Sequence, residues 1–184
     1  PNFYINKKFI SAKDEFINTY NALFKNPIQE IRCRFPARFL WMKTKMHLEN
    51  EQLGTCPLFE LFSKKVLTDK ISIVFAAENI SVPASMMGHV FLKLAGTNLQ
   101  GEKIEHAISF FTNTQNVNAF ELIFKSFLTG MKGYYTLSPY HVQKNSYLYN
   151  EQRNIWEYDL KINDEQKTLL KKHLYELNLF YSAA

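Results

Sequence analysis

Apolar positions recur at helical spacing near the start of the chain, at Phe16, Ile17, Tyr20, Leu23 and Phe24. Ser11 stands ahead of them as an N-cap with Asp14 three positions on, and Asn26-Pro27 ends the helix. A second helix is expected to start close to Cys33, because Pro36 is tolerated only in a first turn. Phe35, Phe39, Met42 and Met46 share one of its faces. A short helix is expected from Pro57 to Lys64. The period then changes. Ile71 to Ala77 reads as a buried strand, and His89 opens another through Val90, Phe91, Leu92 and Leu94. After a turn from Gly96 to Gly101, Lys103 to Phe111 forms the next strand, with Ile104, His106, Ile108 and Phe110 on one parity. Asn116 to Met131 is a strongly apolar helix, and Gly130 and Gly133 flank an aromatic, lid-like loop that runs to Tyr140. Asn154 to Lys161 alternates as a strand. The last helix has Asn163 as N-cap and a stripe at Leu169, Leu170, Leu174, Leu177 and Tyr181. These elements predict an α+β fold with an antiparallel sheet and covering helices, as one domain over residues 1–184.

Composition agrees with a globular chain. It has 184 residues, 46% apolar and 21% charged, and its 16 Phe and 10 Tyr against 6 Gly and 6 Pro argue against disorder. A net charge of +5 favours weak attraction to anionic lipid head groups. No zinc-finger spacing or aromatic-interleaved basic run is present, so nucleic acid is not an expected partner. No stretch reaches the ~18 apolar residues of a membrane span. The chain begins at Pro1 rather than Met, so it is expected to be a piece of a longer protein. His47, His141 and His173 show no metal spacing such as H-E-x-x-H, and no metal or cofactor is expected.

The candidate chemistry rests on cysteine and histidine. A thiol at the start of the second helix would lie at the positive end of its dipole, among Arg32, Arg34 and Arg38, which favours thiolate. Gly88 leaves room beside the imidazole of His89, which could serve as a base for that nucleophile. The alternative is that Cys33 is a small buried hydrophobe and the arginines are solvated. Cys33 and Cys56 equally admit a disulfide in an exported protein.

Four motifs carry a family resemblance. They are Cys33-Arg34-Phe35-Pro36-Ala37-Arg38-Phe39, Ser85-Met86-Met87-Gly88-His89-Val90-Phe91-Leu92, Gly130-Met131-Lys132-Gly133-Tyr134-Tyr135 and Glu151-Gln152-Arg153-Asn154-Ile155-Trp156-Glu157-Tyr158. In this order they resemble the Lnb N-terminal periplasmic domain family. The resemblance implies a bacterial envelope protein related to lipoprotein N-acyltransferases, the periplasmic part of a longer membrane-tethered chain. The chain departs from the family at Asn154, where Asp is expected, and at Ser109-Phe110, where an Asn-Tyr pair is expected. A looser similarity to papain-like NlpC/P60 hydrolases lies in the order Cys33, His89, His106, and implies a nucleophile helix packed on a small antiparallel sheet. The Asp-Cys-Ser-Gly signature of those peptidases is absent.

Acyl transfer needs a nucleophile, a base and oxyanion donors, and this chemistry assigns roles to the residues. Cys33 is the expected nucleophile, with its backbone N–H as oxyanion donor, His89 the general base and acid, and His106 the group that orients His89. Ser85 is a rival nucleophile that lacks the G-x-S-x-G elbow and is expected instead to shape the His89 loop. Arg34 and Arg38 are expected to meet a donor phosphate. Phe120, Phe124, Phe127 and Met131 would wall an acyl groove, with Tyr134 and Tyr135 at its rim. The expected reaction moves an acyl chain from phospholipid, through a Cys33 thioester, to the N-terminal amine of a lipoprotein at the membrane surface. Two other classes stand beside it: a papain-like hydrolase of peptidoglycan, a lipid ester or a thioester, and a non-catalytic envelope domain with a Cys33–Cys56 disulfide.

Overall fold

The computed structural model describes residues 4–6, 8–79, 88–112, 124–125, 128 and 133–181. The chain divides into two compact units, one of residues 1–65 and 162–180 and one of residues 66–161 and 181–184.

The first unit is helical. Helix α1 spans Ala12–Tyr20 and continues as a π-helical turn over Asn21–Lys25. Its N-cap is the expected one: Ser11 Oγ accepts the Asp14 N–H at 3.1 Å and donates to Asp14 Oδ2 at 2.6 Å. The expected second helix is two helices, α2 (Gln29–Arg34) and α3 (Pro36–Lys45), broken at Phe35. Pro36 occupies the first turn of α3, as its missing N–H requires. Cys33 therefore closes the helix before the break rather than opening the one after it. Helix α4 is Pro57–Lys65. The core joins Leu23, Phe39 and Met42 to Tyr20, Phe24, Ile31 and Leu53.

The second unit is a five-stranded sheet in the order β4-β3-β2-β1-β5, with β1 Lys70–Ala76, β2 His89–Thr97, β3 Lys103–Thr112, β4 Gly133–Pro139 and β5 Ile155–Asp159. Every neighbouring pair is antiparallel. The segment read as an aromatic lid is thus the edge strand β4. The Phe110 ring lies over its Gly133, where a Cβ would fall 1.8 Å from Phe110 Cζ. Helix α5 (Tyr140–Asn145) and a π-helical turn (Ser146–Asn150) follow. Tyr140 and Tyr147 from them close over Val74, Ala76, Phe91 and Ala107 on one sheet face. The final helix, α6 (Asp164–Tyr181), belongs to the first unit as far as Phe180. Asn163 caps it reciprocally with Gln166, at 2.8 and 2.9 Å.

Candidate functional site

His89 is the first residue of β2, facing Ala76 at the end of β1. Gly88 delivers it at φ +74°, a conformation that favours glycine. A side chain there would also meet Phe75 Cε2 at 2.7 Å. The imidazole stacks on Phe111, with centroids 4.8 Å apart and planes at 13°. Phe91 and Tyr147 flank it at 5.9 and 6.1 Å. Burial among these rings lowers the His89 pKa below its ordinary value; the Arg153 guanidinium lowers it further, and Glu151 opposes. His89 is therefore a neutral imidazole at pH 7, and its Nε2 has no hydrogen-bond partner among the described residues.

Arg153 anchors the surroundings. It is 4% exposed, donates from Nη2 to Ala76 O at 3.2 Å and from Nε to Ala77 O, and pairs through Nη1 with Glu151 at 2.8 Å. Its guanidinium lies 4.8 Å from the centroid of the Tyr147 ring. The same cation thus fixes the carbonyls where β1 ends beside His89 and holds the covering aromatic residue. Behind Tyr147, the amide of Gln143 donates to Ser109 Oγ at 2.5 Å and lies 3.5 Å from the Tyr147 hydroxyl. Burial raises the Tyr147 pKa, so the phenol stays protonated. Arg153, Glu151, Tyr147 and Gln143 were not singled out from the sequence, although Glu151 and Arg153 lie inside the fourth motif. Of the two departures, Asn154 places its side chain in solvent and uses its carbonyl to accept the Ala77 N–H at 2.9 Å. Ser109 is buried and takes part in the polar network.

The other expected site residues fall as follows. His106 does not orient His89. The β2–β3 register pairs His106 with Leu94, five residues along β2 or roughly 17 Å from His89. Strand alternation places the two on opposite faces. Cys33 is bonded to Cys56 with an S–S distance of 2.05 Å, so in this structure it carries no thiol. It sits in the last turn of α2, where the dipole disfavours a thiolate and the N–H is not one of the unpaired first-turn donors. Gln29 holds the loop that carries the disulfide, donating to Leu53 O at 3.0 Å and Thr55 O at 3.1 Å. Arg38 pairs with Glu15 at 2.7 Å and lies over Phe35, and Arg34 lies over Phe35 and Phe180. Both arginines thus serve the first unit's packing. Tyr134 faces Phe111 across the β3–β4 pair, one ring removed from His89, whereas Tyr135 pairs with Phe110 on the other face. Of the expected groove wall, Phe124 is exposed; Phe120, Phe127, Met131 and Ser85 lie outside the described residues.

Among the described residues, no group of three or more His, Cys, Asp or Glu side chains could hold a metal ion. No described helix is long and apolar enough to cross a membrane. Residues 59–181 match the family described as Lnb N-terminal periplasmic domain, and residues 1–45 match a domain of unknown function, DUF7843. Neither a curated protein nor a solved structure matches the chain.

Proposed function

The chain belongs to the Lnb N-terminal periplasmic domain family, and from that premise we propose that it transfers an acyl chain from a phospholipid to the N-terminal amine of a lipoprotein, at the membrane surface, with His89 as general base and acid. The observation that carries this reading is the neutral, aromatic-stacked imidazole whose Nε2 is left unpartnered among the described residues. A base for acyl transfer needs a pKa near or below the working pH and a nitrogen not already engaged in a hydrogen bond.

The nucleophile in this proposal is Ser85, four residues before His89 in the second motif. Cys33 is held in a disulfide, which persists in an oxidising compartment. In the first half-reaction His89 Nε2 takes the Ser85 hydroxyl proton as the oxygen bonds to the ester carbonyl carbon. The tetrahedral intermediate then expels the lysophospholipid alkoxide, which takes that proton from His89. In the second, His89 removes a proton from the lipoprotein amine as its nitrogen bonds to the acyl carbon. It returns the proton to the departing Ser85 oxygen. A Cys33 thioester is the second reading. It is favoured by the position of the disulfide at the wall of a groove beside Gln29, Arg34 and Tyr175.

Mass spectrometry of the protein after incubation with phospholipid tests both. The expected result is an acyl adduct on Ser85 that persists in Cys33→Ser/Cys56→Ser and is absent in Ser85→Ala. An adduct on Cys33 that appears only after reduction would establish the thioester route instead. His89→Asn is expected to slow adduct formation by about 10²–10⁴-fold. The acid limb of the pH–rate profile should lie below the ordinary histidine range, because the base works deprotonated and its pKa is lowered. An unchanged rate in His89→Asn would remove the proposal.

A further inference from the structure

A cavity of about 660 Å³ opens within the first unit, between α1, α3 and α6. It lies in the range of small-molecule sites. Phe16, Trp41, Met42, Leu169 and Leu170 make its walls apolar. Glu176, which is 1% exposed, also lines it. Oε1 of Glu176 accepts the N–H groups of Ala37 and Arg38 at 2.7 and 3.2 Å, capping the first turn of α3. Oε2 makes no hydrogen bond among the described residues; the nearest titratable nitrogen is His173 Nδ1, at 3.9 Å. A carboxylate that lines an apolar cavity with one oxygen unpaired among the described residues has room there for a hydrogen-bond donor.

The charges around the cavity decide which donor. Arg38 is ion-paired with Glu15 at 2.7 Å. Burial and the Arg38 guanidinium lower the His173 pKa, so its ring is neutral. Lys172 acts on Glu176 from the neighbouring turn, but its ammonium sits over the Phe59 ring, 4.4 Å from the centroid. When Glu176 ionises, its charge has no counter-charge within hydrogen-bonding distance among the described residues. A fatty-acid anion would bring a second carboxylate beside this one, and a bare hydrocarbon would leave Oε2 unsatisfied.

We propose that this cavity is a binding site for a single-chain alkyl amine, whose hydrocarbon tail lies along the aromatic and leucine walls and whose ammonium donates to Glu176 Oε2. The site is separate from the His89 chemistry and does not depend on it. Burial raises the Glu176 pKa to about 7 against the pull of its two backbone hydrogen bonds. Near that pH, ammonium binding displaces a proton from the carboxyl.

Trp41 reports on the site, and Trp156→Phe makes it the sole tryptophan of the chain. Octylamine, octanol and octanoate are titrated into that variant at pH 8, each below its critical micelle concentration, with Trp41 emission as readout. Octylamine is expected to saturate the signal and to bind at least tenfold more tightly than the other two. Glu176→Gln should abolish that preference while retaining octanol binding. Calorimetry of the unsubstituted chain at pH 7, in two buffers of different ionisation enthalpy, gives an arm that needs no variant. It should show proton release with octylamine and none with octanol. Absence of saturable octylamine binding, equal affinity for the three probes, an amine preference that survives in folded Glu176→Gln, or amine binding without proton release would each overturn the proposal.

Discussion

Each unit buries one charge to finish the backbone of a neighbouring element, and the two charges have opposite signs. In the second unit Arg153 donates to the carbonyls of Ala76 and Ala77, where β1 ends. In the first, Glu176 accepts from the N–H groups of Ala37 and Arg38, where α3 begins. A strand end offers acceptors and a helix start offers donors, so the sign of the charge follows from the end it serves. The difference lies in what remains. Arg153 has a carboxylate partner in Glu151 and a ring beneath it, so it is spent on structure. Glu176 keeps one oxygen unpaired among the described residues, at the wall of a cavity. A buried charge that is fully partnered holds a fold together, whereas one left half-partnered also marks a place for a ligand.

The contrast can be broken from the strongest side first. Arg153→Met leaves Glu151 and the carbonyls of Ala76 and Ala77 without their cation, and should cost the second unit about 3–5 kcal/mol. Urea denaturation followed through Trp156 on β5 measures it; a loss below about 1 kcal/mol would show that Arg153 is a bystander. In the first unit, Cys33→Ser/Cys56→Ser removes a crosslink over 23 residues. The loop-closure estimate for that length is about 3 kcal/mol, read as a lower unfolding midpoint followed through Trp41. If both probes shift together in either variant, the two units unfold as one.

The third test concerns pH. Glu176 titrates near 7 when folded and near 4.5 when unfolded. Between those values the unfolded chain has released its proton and the folded chain has not. Stability should therefore fall as pH rises from about 4.5 to 7, by up to about 3 kcal/mol, and level off above. Glu176→Gln keeps an acceptor for Ala37 and should flatten that slope. A slope unchanged in the variant would assign it to another group. The smallest effect is expected at the surface: Ser11→Ala loses the cap of α1 at a cost of about 1 kcal/mol.

The legible parts of the chain were those that repeat. Ile71 to Ala77 as an apolar run and Lys103 to Phe111 by alternation place β1 and β3 within a residue or so of their ends. Gly88 and His89 were readable as a delivery turn and strand start because the glycine and the apolar run are adjacent. The halves of the candidate site fared differently. His106 shares the parity of Ile104 and Ile108 and is buried with Ile108, but which residue it faces depends on register, which single-strand periodicity does not contain. Pro36 marked a helix start correctly, yet Phe35 also ends the preceding helix, and this put Cys33 at the opposite pole of a dipole. Gly133 to Pro139 carries loop-like residues and becomes a strand only through pairing with β3. Arg153 and Glu176 were hidden for a simpler reason: a single buried charge makes no pattern, and its partners are remote in sequence.

The first unit is discontinuous in sequence, and this sets an order on its assembly. The contact between Glu176 and Ala37 spans 139 residues, whereas Cys33 and Cys56 are 23 apart. A chain that becomes available from its amino end can close the disulfide early but must wait for α6 before the start of α3 is capped. Until then an apolar helical surface stands open while the whole sheet forms in the interval. Oxidation thus precedes docking along the chain, and the disulfide acts as a kinetic clamp that limits how far the waiting helices can stray. A chain cut before Asp164 should keep that clamp and still expose the helices, and it is the truncated form to expect in aggregates.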